Sequence, residues 1–586
     1  MKYRIKLENA IIFILSIIAT VSINLNMAKD ISIKQSFNGN DVIYVFILVV
    51  YFISIKKAIQ IKDKRLMLFS GILSILFSLM QVVGYSLDSY SDLSGIFYSS
   101  NSLLKAGLRL VGFVITFYLV FYLLFNYLST IKMKNDKKDS NIGVKGFIVI
   151  WVFILLAWIP YILTYFPGIL SPDSMDQILQ TIGVNELSNH HPIFHTFLIY
   201  IFINLGKDIS SYQLGVALYS IFQMLAMSGI FSFTIYYMSK KNVNIWIIIA
   251  TCVFYALYPV NAMYSITMWK DILFAGTMLL FTICMTELII NKENFLNSKF
   301  KNSLFVLSML LVILLRNNGV YVVILTMPFV LYFIRGYYKK LFTLFSIVIV
   351  FYIIIQNPVF YILNIEKGGG IREIMSIPIQ QLARVERDRD LTVEEKTEIY
   401  KFLPTENLAT LYNPRLSDPV KVYFDENAFK EDKMGFIKIW LKLFIENPGV
   451  YIEAFLCNNY GYWYPETAYW IVERGMAQSN EIQIYKQPLI NGTLVGYMDG
   501  LIDMRQMPVL SMAFSIGFTF WIIFVCFIYF IYKRDYKYCL IYIPVLLLWL
   551  TTLASPVHGE YRYVYSMFTC LPILISTVYL SKQEKE

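Results

Sequence analysis

The sequence predicts an all-α polytopic membrane protein with about 14 transmembrane helices and an outward-facing, mostly helical C-terminal region. Of the 586 residues, 57% are hydrophobic and only 15% are charged, and the mean hydropathy is +0.57. These values lie far outside the range of soluble globular proteins. Apolar runs long enough to cross a bilayer alternate with loops that carry clusters of Lys and Arg, which is typical of a multi-pass membrane protein.

The apolar runs divide the chain into four regions. Residues 1–145 hold four runs that we interpret as N-terminal membrane helices, and residues 146–357 form a membrane core with an outward loop at 166–211. Residues 358–507 are the one sizeable polar segment and predict an extracytoplasmic domain. Residues 508–586 return to apolar runs and predict the C-terminal membrane helices.

Some helix boundaries follow from capping residues and helix breakers. Thr392 and Glu395 have the spacing of a capping box, and Asn447-Pro-Gly449 predicts two amphipathic helices in place of one span. Residues 192–205 are apolar but short and carry His195. We interpret them as a re-entrant or surface-lying helix, because crossing the bilayer there would invert the orientation of every later loop.

The distribution of basic residues predicts the orientation. The loops at 56–65 and 132–145 are basic and are predicted to be cytoplasmic, as are both termini. With this assignment the short outside loops after residue 211 carry only Lys270, Arg316 and Arg562. The loop at 166–211 and residues 358–507 are then extracytoplasmic. Abundant Ile, Lys and Asn with scarce Ala are typical of an AT-rich bacterial genome, which predicts a bacterial plasma membrane. The net charge of +10 arises from these clusters, so we expect no nucleic-acid partner.

The carboxylates and histidines concentrate in one loop. Asp173 and Asp176 are spaced i, i+3, which places both on one face of a helix predicted from Pro172, with Ser171 as a possible N-cap. If the protein does chemistry at neutral pH, these two carboxylates are the first candidates for catalytic residues. They precede three of the four histidines, and such a cluster of titratable groups is expected where proton transfer occurs.

The histidines of this loop are His190, His191 and His195. They could bind a phosphate, handle protons or play a structural role. His191 and His195 have the i, i+4 spacing of zinc ligands, but no HExxH motif is present, so a zinc hydrolase is not predicted. No cofactor is required by the sequence, and the assistance of a divalent cation remains open.

Cations stand at the predicted outer ends of later spans, in Trp269-Lys-Asp271, Arg316-Asn-Asn318 and His558-Gly-Glu-Tyr-Arg562. A ring of cations above apolar helices suits a lipid phosphate, whose charge needs partners while its chain needs hydrocarbon. The residues that we predict to bind such a substrate are His190, His191, His195, Lys270, Asp271, Arg316, Glu560 and Arg562.

These motifs, together with Pro167-Gly168 and Ser171-Pro-Asp173-Ser-Met-Asp176, resemble the GT-C class of integral-membrane glycosyltransferases, and within it a family of Gram-positive bacterial membrane proteins. The resemblance covers residues 146–335 well and 358–507 loosely. It implies a GT-C-like fold and transfer of a sugar from a polyprenyl-phosphate donor to an extracytoplasmic acceptor, which could be an envelope glycan, a lipid or a protein. It also implies that Asp173 is the catalytic base, with Asp176 as the alternative.

Two other functions remain open. A transporter or flippase for a lipid-linked sugar or polymer would also need a cationic cavity, and it would favour inverted repeats and charges at mid-span. A non-catalytic envelope sensor or scaffold could use residues 358–507 for binding, but it would leave Asp173 and the histidines unexplained. No nucleotide-binding motif is present in the sequence.

Overall fold

The computed structural model describes residues 2–32, 34–36, 41–130, 142–368 and 370–584. Most of the predicted basic loop at 132–145 therefore lies outside the described residues. Across the described residues, 77% of the chain is helical and no β-strand is present, although a few isolated β-bridges join loop segments. The predicted all-α class is confirmed.

The N-terminal region and the membrane core contain seventeen helices in the described ranges. They are α1 (Lys2–Ile23), α2 (Asp41–Ile59), α3 (Lys64–Tyr90), α4 (Ser94–Phe97), α5 (Ser100–Thr130), α6 (Val144–Thr164), α7 (Pro172–Thr181), α8 (Ile193–Ile209), α9 (Tyr212–Lys240), α10 (Ile245–Leu257), α11 (Pro259–Ser265), α12 (Lys270–Ile290), α13 (Lys292–Asn297), α14 (Lys299–Leu315), α15 (Gly319–Phe333), α16 (Tyr338–Ile354) and α17 (Phe360–Ile362).

The rest of the chain contributes shorter helices and then three long ones. The short helices are α18 (Ile371–Ile374), α19 (Ser376–Asp388), α20 (Val393–Tyr400), α21 (Leu408–Leu411), α22 (Asp418–Lys421), α23 (Glu426–Glu431), α24 (Lys433–Glu446), α25 (Pro448–Cys457) and α26 (Gly492–Leu501). The long helices are α27 (Ile516–Lys533), α28 (Tyr536–Thr552) and α29 (Tyr565–Gln583).

Nine helical segments of the described chain are long and apolar enough to cross a membrane, and ten are if α10 and α11, bent by 51° against each other, form one broken span. The remaining predicted spans correspond to α1, α14, α15 and α28, which are helical but no longer than 17 residues within the apolar part. Helix α8 is not among the nine. The protein is therefore a polytopic membrane protein.

Helix α12 lies at the centre of the helix bundle, and 94% of its most apolar stretch is buried. It packs against α9, α14, α28 and α29. Because it is apolar on every side, a helix of this kind is stable only when other helices surround it. Its two ends are polar: Lys270 and Asp271 begin the helix, and Glu287 lies near its other end.

Glu287 holds the end of the bundle opposite Lys270. Its carboxylate lies 2.5 Å from Lys241 Nζ, just after α9, and 2.8 Å from Lys301 Nζ in α14. The hydroxyl of Tyr237 donates a further hydrogen bond at 3.0 Å. We name this set of residues the Glu287 clamp. It joins α9, α12 and α14, and a carboxylate so well hydrogen-bonded can lie inside a helix bundle.

Residues 371–451, which we name the polar domain, have a hydrophobic core of their own, formed by helices α19 to α25. The predicted capping box of α20 is present, with Thr392 and Glu395 bonding each other's backbone N–H groups. The predicted break at Asn447-Pro-Gly449 separates α24 from α25. In contrast, the aromatic residues 460–464 are buried in the core of the membrane bundle.

Candidate active site

Most of the predicted site residues come together at one end of the bundle from segments far apart in the sequence. They lie at the start of α7, before α8, at the start of α12, after α14, and in the loop 558–562 that precedes α29. The longest link joins Asp173 and Arg562, which are 389 positions apart. We refer to this end of the bundle as the site end.

The start of α7 is fixed by a dense set of hydrogen bonds. Ser171 is the predicted N-cap and accepts from the backbone N–H of Ser174, and Pro172 occupies the first turn. Trp269 Nε1 donates to Ser171 Oγ at 2.6 Å, and Ser174 Oγ donates to the Met268 carbonyl at 2.7 Å. Because both α7 and the start of α12 share these bonds, the position of Asp173 relative to Lys270 is fixed.

Asp173 forms an ion pair with Arg562, whose Nη1 lies 2.6 Å from Asp173 Oδ2. The guanidinium also packs over the Trp269 ring, 5.0 Å from its centroid. Burial alone would raise the pKa of Asp173, but the positive charges of Arg562 and Lys270 outweigh it and hold the pKa well below its usual range. The Asp173 side chain is still 31% exposed, so a substrate can reach this carboxylate.

His191 lies beside Lys270, and the distance from Lys270 Nζ to His191 Nδ1 is 2.8 Å. Burial, followed by the charge of Lys270, lowers the pKa of His191 to about 3. The ring is therefore neutral at pH 7 and accepts a hydrogen bond from the ammonium group. His190 is exposed and packs edge-on against the His191 ring, with 4.7 Å between the centroids.

Asp271 and Arg316 form the buried side of the site. Asp271 is only 1% exposed, and its Oδ1 lies 3.5 Å from Arg316 Nη1. Among the described residues, neither carboxylate oxygen of Asp271 accepts a hydrogen bond. Arg316 donates instead to the carbonyl of Tyr563 at 2.7 Å. A buried carboxylate with unused acceptors suits a ligand or water that brings hydrogen-bond donors.

Glu560 is the third carboxylate of the site and is 8% exposed. Its Oε1 lies 3.2 Å from Arg562 Nε. Burial is the main cause that raises the pKa of Glu560 to about 7; the charge of Arg562 opposes this shift, and the charges of Asp271 and Asp173 favour it. Arg562 thus contacts two carboxyl groups. Its Nη1 bonds the ionised Asp173, and its Nε faces Glu560, which gains or loses its proton near neutral pH.

Replacing Glu560 by glutamine is expected to flatten the pH dependence of stability. A carboxyl whose pKa rises from 4.5 to about 7 on folding stabilises the fold fully below pH 4.5 and loses that contribution as the pH rises through 7. A shift of this size corresponds to about 3 kcal/mol. Thermal unfolding of detergent-solubilised protein between about pH 5 and pH 8 should show the gain from Glu560→Gln increasing with pH.

The control for this comparison is Glu431→Gln, because Glu431 is an exposed residue of the polar domain. Its unfolding temperature should follow that of the wild type at every pH. Parallel curves for wild type and Glu560→Gln would show that the pKa of Glu560 does not rise on folding.

Two predicted site residues point elsewhere. Asp176 accepts hydrogen bonds from Gln180 at 2.8 Å and from Asn185 at 2.7 Å, so its carboxylate stabilises the end of α7 and the turn after it. His195 is fully buried, with 3.0 Å from its Nδ1 to Gln177 Oε1 and 2.6 Å from its Nε2 to the Tyr219 hydroxyl. Burial also lowers the pKa of His195 to about 3. His195 therefore joins α7, α8 and α9 inside the protein.

No group of three or more His, Cys, Asp or Glu residues suited to hold a metal ion is found in the described part of the chain. His191 and His195 do not form the pair that their spacing suggests. The ring of His191 contacts Lys270, whereas the ring of His195 contacts Gln177 and Tyr219.

Three contributors to the site were not predicted. Trp269 supports Arg562, and the carbonyl of Tyr563 accepts from Arg316. Asn317 bonds the backbone carbonyl of Asn189 at 3.0 Å, which attaches the segment before α8 to the loop after α14. Each of these three residues adjoins a predicted cation in the sequence. This position is the signal by which they could have been predicted.

A groove of about 560 Å³ adjoins the loop that leads to Asp173. It lies between the start of α9 and residues 483–487, and its lining includes Phe166, Lys207, Tyr212, Gln213 and Gln487. Gln487 N–H donates to the Phe166 carbonyl at 2.8 Å, which joins the groove to the loop that carries Asp173. Amides, hydroxyls and aromatic rings in one groove suit a polar, hydroxyl-rich ligand.

Comparison with known protein families gives one match. The sequence model of a family of unknown function, DUF6020, matches residues 182–586. The chain belongs to the DUF6020 family. The DUF6020 match includes the histidines, Lys270, Arg316 and the loop 558–562, but it begins after Asp173 and after α1 to α6. No curated protein and no solved structure matches the chain.

Proposed function

We propose that the protein is a membrane glycosyltransferase that moves a sugar from a polyprenyl-phosphate donor to an extracytoplasmic acceptor. The observation that carries the proposal is the accessible Asp173 carboxylate, held 2.6 Å from Arg562 among further cations at the end of an apolar bundle. A phosphate needs the cations, an acceptor hydroxyl needs the base, and a polyprenyl chain needs the apolar helices.

The three cations are suited to a phosphate because their charge is not fully neutralised within the site. Lys270 contacts the neutral ring of His191, and Arg562 faces Glu560, whose pKa of about 7 leaves much of it uncharged. Two further carboxylates, Asp173 and Asp271, lie beside the three cations Lys270, Arg316 and Arg562. A phosphate bound here completes the charge balance.

In the proposed reaction, the acceptor hydroxyl attacks the anomeric carbon of the donor and Asp173 takes its proton. The new bond joins the acceptor oxygen to the anomeric carbon. The bond between that carbon and the phosphate oxygen breaks, and the phosphate leaves with the electron pair. Lys270 and Arg562 stabilise the charge that develops on the phosphate. Sharing Arg562 with the phosphate also raises the basicity of Asp173, since the carboxylate then loses part of its ion pair.

Transfer assayed in liposomes tests the proposal. Purified protein is incorporated with a radiolabelled mixture of polyprenyl-phosphate sugars and an envelope extract as the acceptor source. The proposed enzyme releases polyprenyl phosphate and labels an acceptor. Movement of the intact lipid-linked sugar across the bilayer, with no bond cleaved, would contradict it.

The proposed membrane arrangement has fourteen spans in a bacterial plasma membrane, with both termini cytoplasmic. The site end and the polar domain then lie outside the cell. This arrangement is supported by the helical state of each predicted span in the described residues and by the excess of Lys and Arg in the loops assigned to the cytoplasm.

Cysteine labelling tests the orientation. Val393 begins α20 in the polar domain and is 81% exposed, so a cysteine there is accessible on whichever side the domain lies. We expect Val393→Cys to react with a membrane-impermeant maleimide in intact cells. Reaction only after the cells are opened would place the polar domain in the cytoplasm. The wild type, whose cysteines are buried or half-buried, is the control.

A transporter for a lipid-linked sugar is the second candidate, favoured by the bend of 51° between α10 and α11. Broken helices line substrate sites in many transporters. The charged residues of the site, however, cluster at one end of α12, and this helix carries no charged residue from Ile272 to Thr286. The liposome assay distinguishes the two functions, because only the transferase cleaves the donor.

A further inference from the structure

Asp88 lies near the end of α3, in the N-terminal region, yet it bonds residues that come more than 300 positions later. Its Oδ1 accepts from Thr467 Oγ1 at 2.6 Å and from the Tyr460 hydroxyl at 3.1 Å. Arg415 Nη2 lies 3.4 Å from the same oxygen and donates to the Asp88 carbonyl at 2.8 Å. One carboxylate therefore gathers three segments of the chain.

The turn after α3 adds further contacts to the polar domain and to Glu453 and Cys457, which follow the domain in α25. The carbonyl of Ser91 accepts from Arg384 Nη1 at 3.3 Å and from Cys457 Sγ at 3.1 Å. The N–H of Leu93 donates to Glu453 Oε1 at 3.3 Å. Residues 88–93 thus attach the N-terminal region to the polar domain.

Two of the residues that bond Asp88 also contact the loop that carries Glu560 and Arg562. The carbonyl of Arg415 accepts from the His558 N–H at 3.0 Å. The ring of Tyr460 packs on the His558 ring, with 5.2 Å between the centroids. Arg415 therefore contacts both Asp88 and His558, and so does Tyr460.

The segment from Pro556 to Glu560 lies close to residues 415–417 and 460–462. Ser417 N–H donates to the Pro556 carbonyl at 2.9 Å, and Glu560 N–H donates to the Tyr462 hydroxyl at 3.2 Å. A Cβ at Gly461 would lie 2.5 Å from the His558 carbonyl, so only glycine allows this approach. A displacement of residues 458–462 therefore has to displace the loop as well.

We propose that Asp88 is a positioning residue that fixes residues 555–562 at the site end. These residues include the loop 558–562 with Glu560 and Arg562. The N-terminal helices then form part of the active unit, although they lie outside the DUF6020 match. The positional claim stands on the contacts alone, while its effect on sugar transfer rests on the proposed function.

The test is hydrogen–deuterium exchange of the full-length protein in detergent, read on peptides that cover 555–564. The N–H groups of His558 and Glu560 are bonded to Arg415 and Tyr462, so they report directly on the loop. We expect Asp88→Ala to raise exchange there about tenfold, because it removes several hydrogen bonds that oppose local opening. Peptides from α12 should remain unchanged.

Two further variants sharpen the test. Asp88→Asn keeps an acceptor for Tyr460 and Thr467 but loses the charge that attracts Arg415, so its effect should be intermediate. Asp92→Ala is the matched control, since the Asp92 carboxylate bonds the Ser94 N–H within its own turn. Unchanged exchange at 555–564 in Asp88→Ala would overturn the proposal, as would equal changes in Asp92→Ala or in α12.

The exchange result is independent of the proposed function. If Asp88→Ala loosens the loop and the wild type transfers sugar, the variant should show reduced turnover. If the loop loosens but the wild type shows no transfer with any donor, the positioning role holds and the proposed function fails.

Discussion

Replacing Asp173 by asparagine is expected to lower the rate of sugar transfer about 10²- to 10⁴-fold, which is the usual contribution of a general base. Asparagine keeps the size of the side chain but cannot take up the acceptor proton. The fold should persist, because Arg562 retains its contacts with Glu560 and Trp269. The measurement is turnover in the liposome assay, with the unfolding temperature determined on the same preparations.

Two variants complete this comparison. Asp176→Asn should retain most of the activity, since Gln180 and Asn185 already occupy that carboxylate. Asp208→Asn, at an exposed position of α8, controls for the loss of one negative charge. A normal rate for Asp173→Asn would exclude its role as base, and a large loss only in Asp176→Asn would move that role to Asp176.

Replacing Arg562 by lysine is expected to lower transfer about 10²- to 10³-fold, the effect of removing one donor that stabilises transition-state charge. Arg562 uses Nη1 for Asp173 and Nε for Glu560, and its planar group packs on Trp269. Lysine keeps the charge, but one ammonium group cannot reproduce these divergent contacts. Turnover and donor KM measured in liposomes test this expectation.

The matched control is Arg387→Lys, at an exposed position of the polar domain. It should leave both turnover and KM unchanged. Full activity of Arg562→Lys would mean that only a positive charge is needed at this position, and the mechanism would then not depend on the guanidinium geometry.

Local patterns predicted the helices well because helix formation and capping depend on neighbouring residues. Ser171 and Pro172 start α7, and Thr392 with Glu395 caps α20, as predicted. The number of membrane spans is harder to predict, because it depends on how long and how apolar each helix is. Helix α14 has 17 residues and begins with Lys299 and Lys301, so composition and length alone do not qualify it as a span.

The site was predictable only in part, because its pairings join residues that are distant in the sequence. Asp173 and Lys270 stood out as charges beside apolar runs, but the pairing of Asp173 with Arg562 depends on the tertiary fold. The pairing of His191 with His195 assumed that one helix carries both. Helix α8 begins at Ile193, so His191 precedes it and the i, i+4 rule does not apply to the pair.

The Glu287 clamp has a consequence for how substrates come and go. Lys270 and Glu287 lie about 25 Å apart along α12 at the rise of an α-helix, and near the far end of this helix the clamp ties α9, α12 and α14 together. At the site end, the residue after α14 contacts α12 more loosely, because Arg316 Nη1 lies 3.5 Å from Asp271 Oδ1. In the proposed transferase, donor entry and release of the spent lipid carrier would both use the site end, so the two would compete for the same opening.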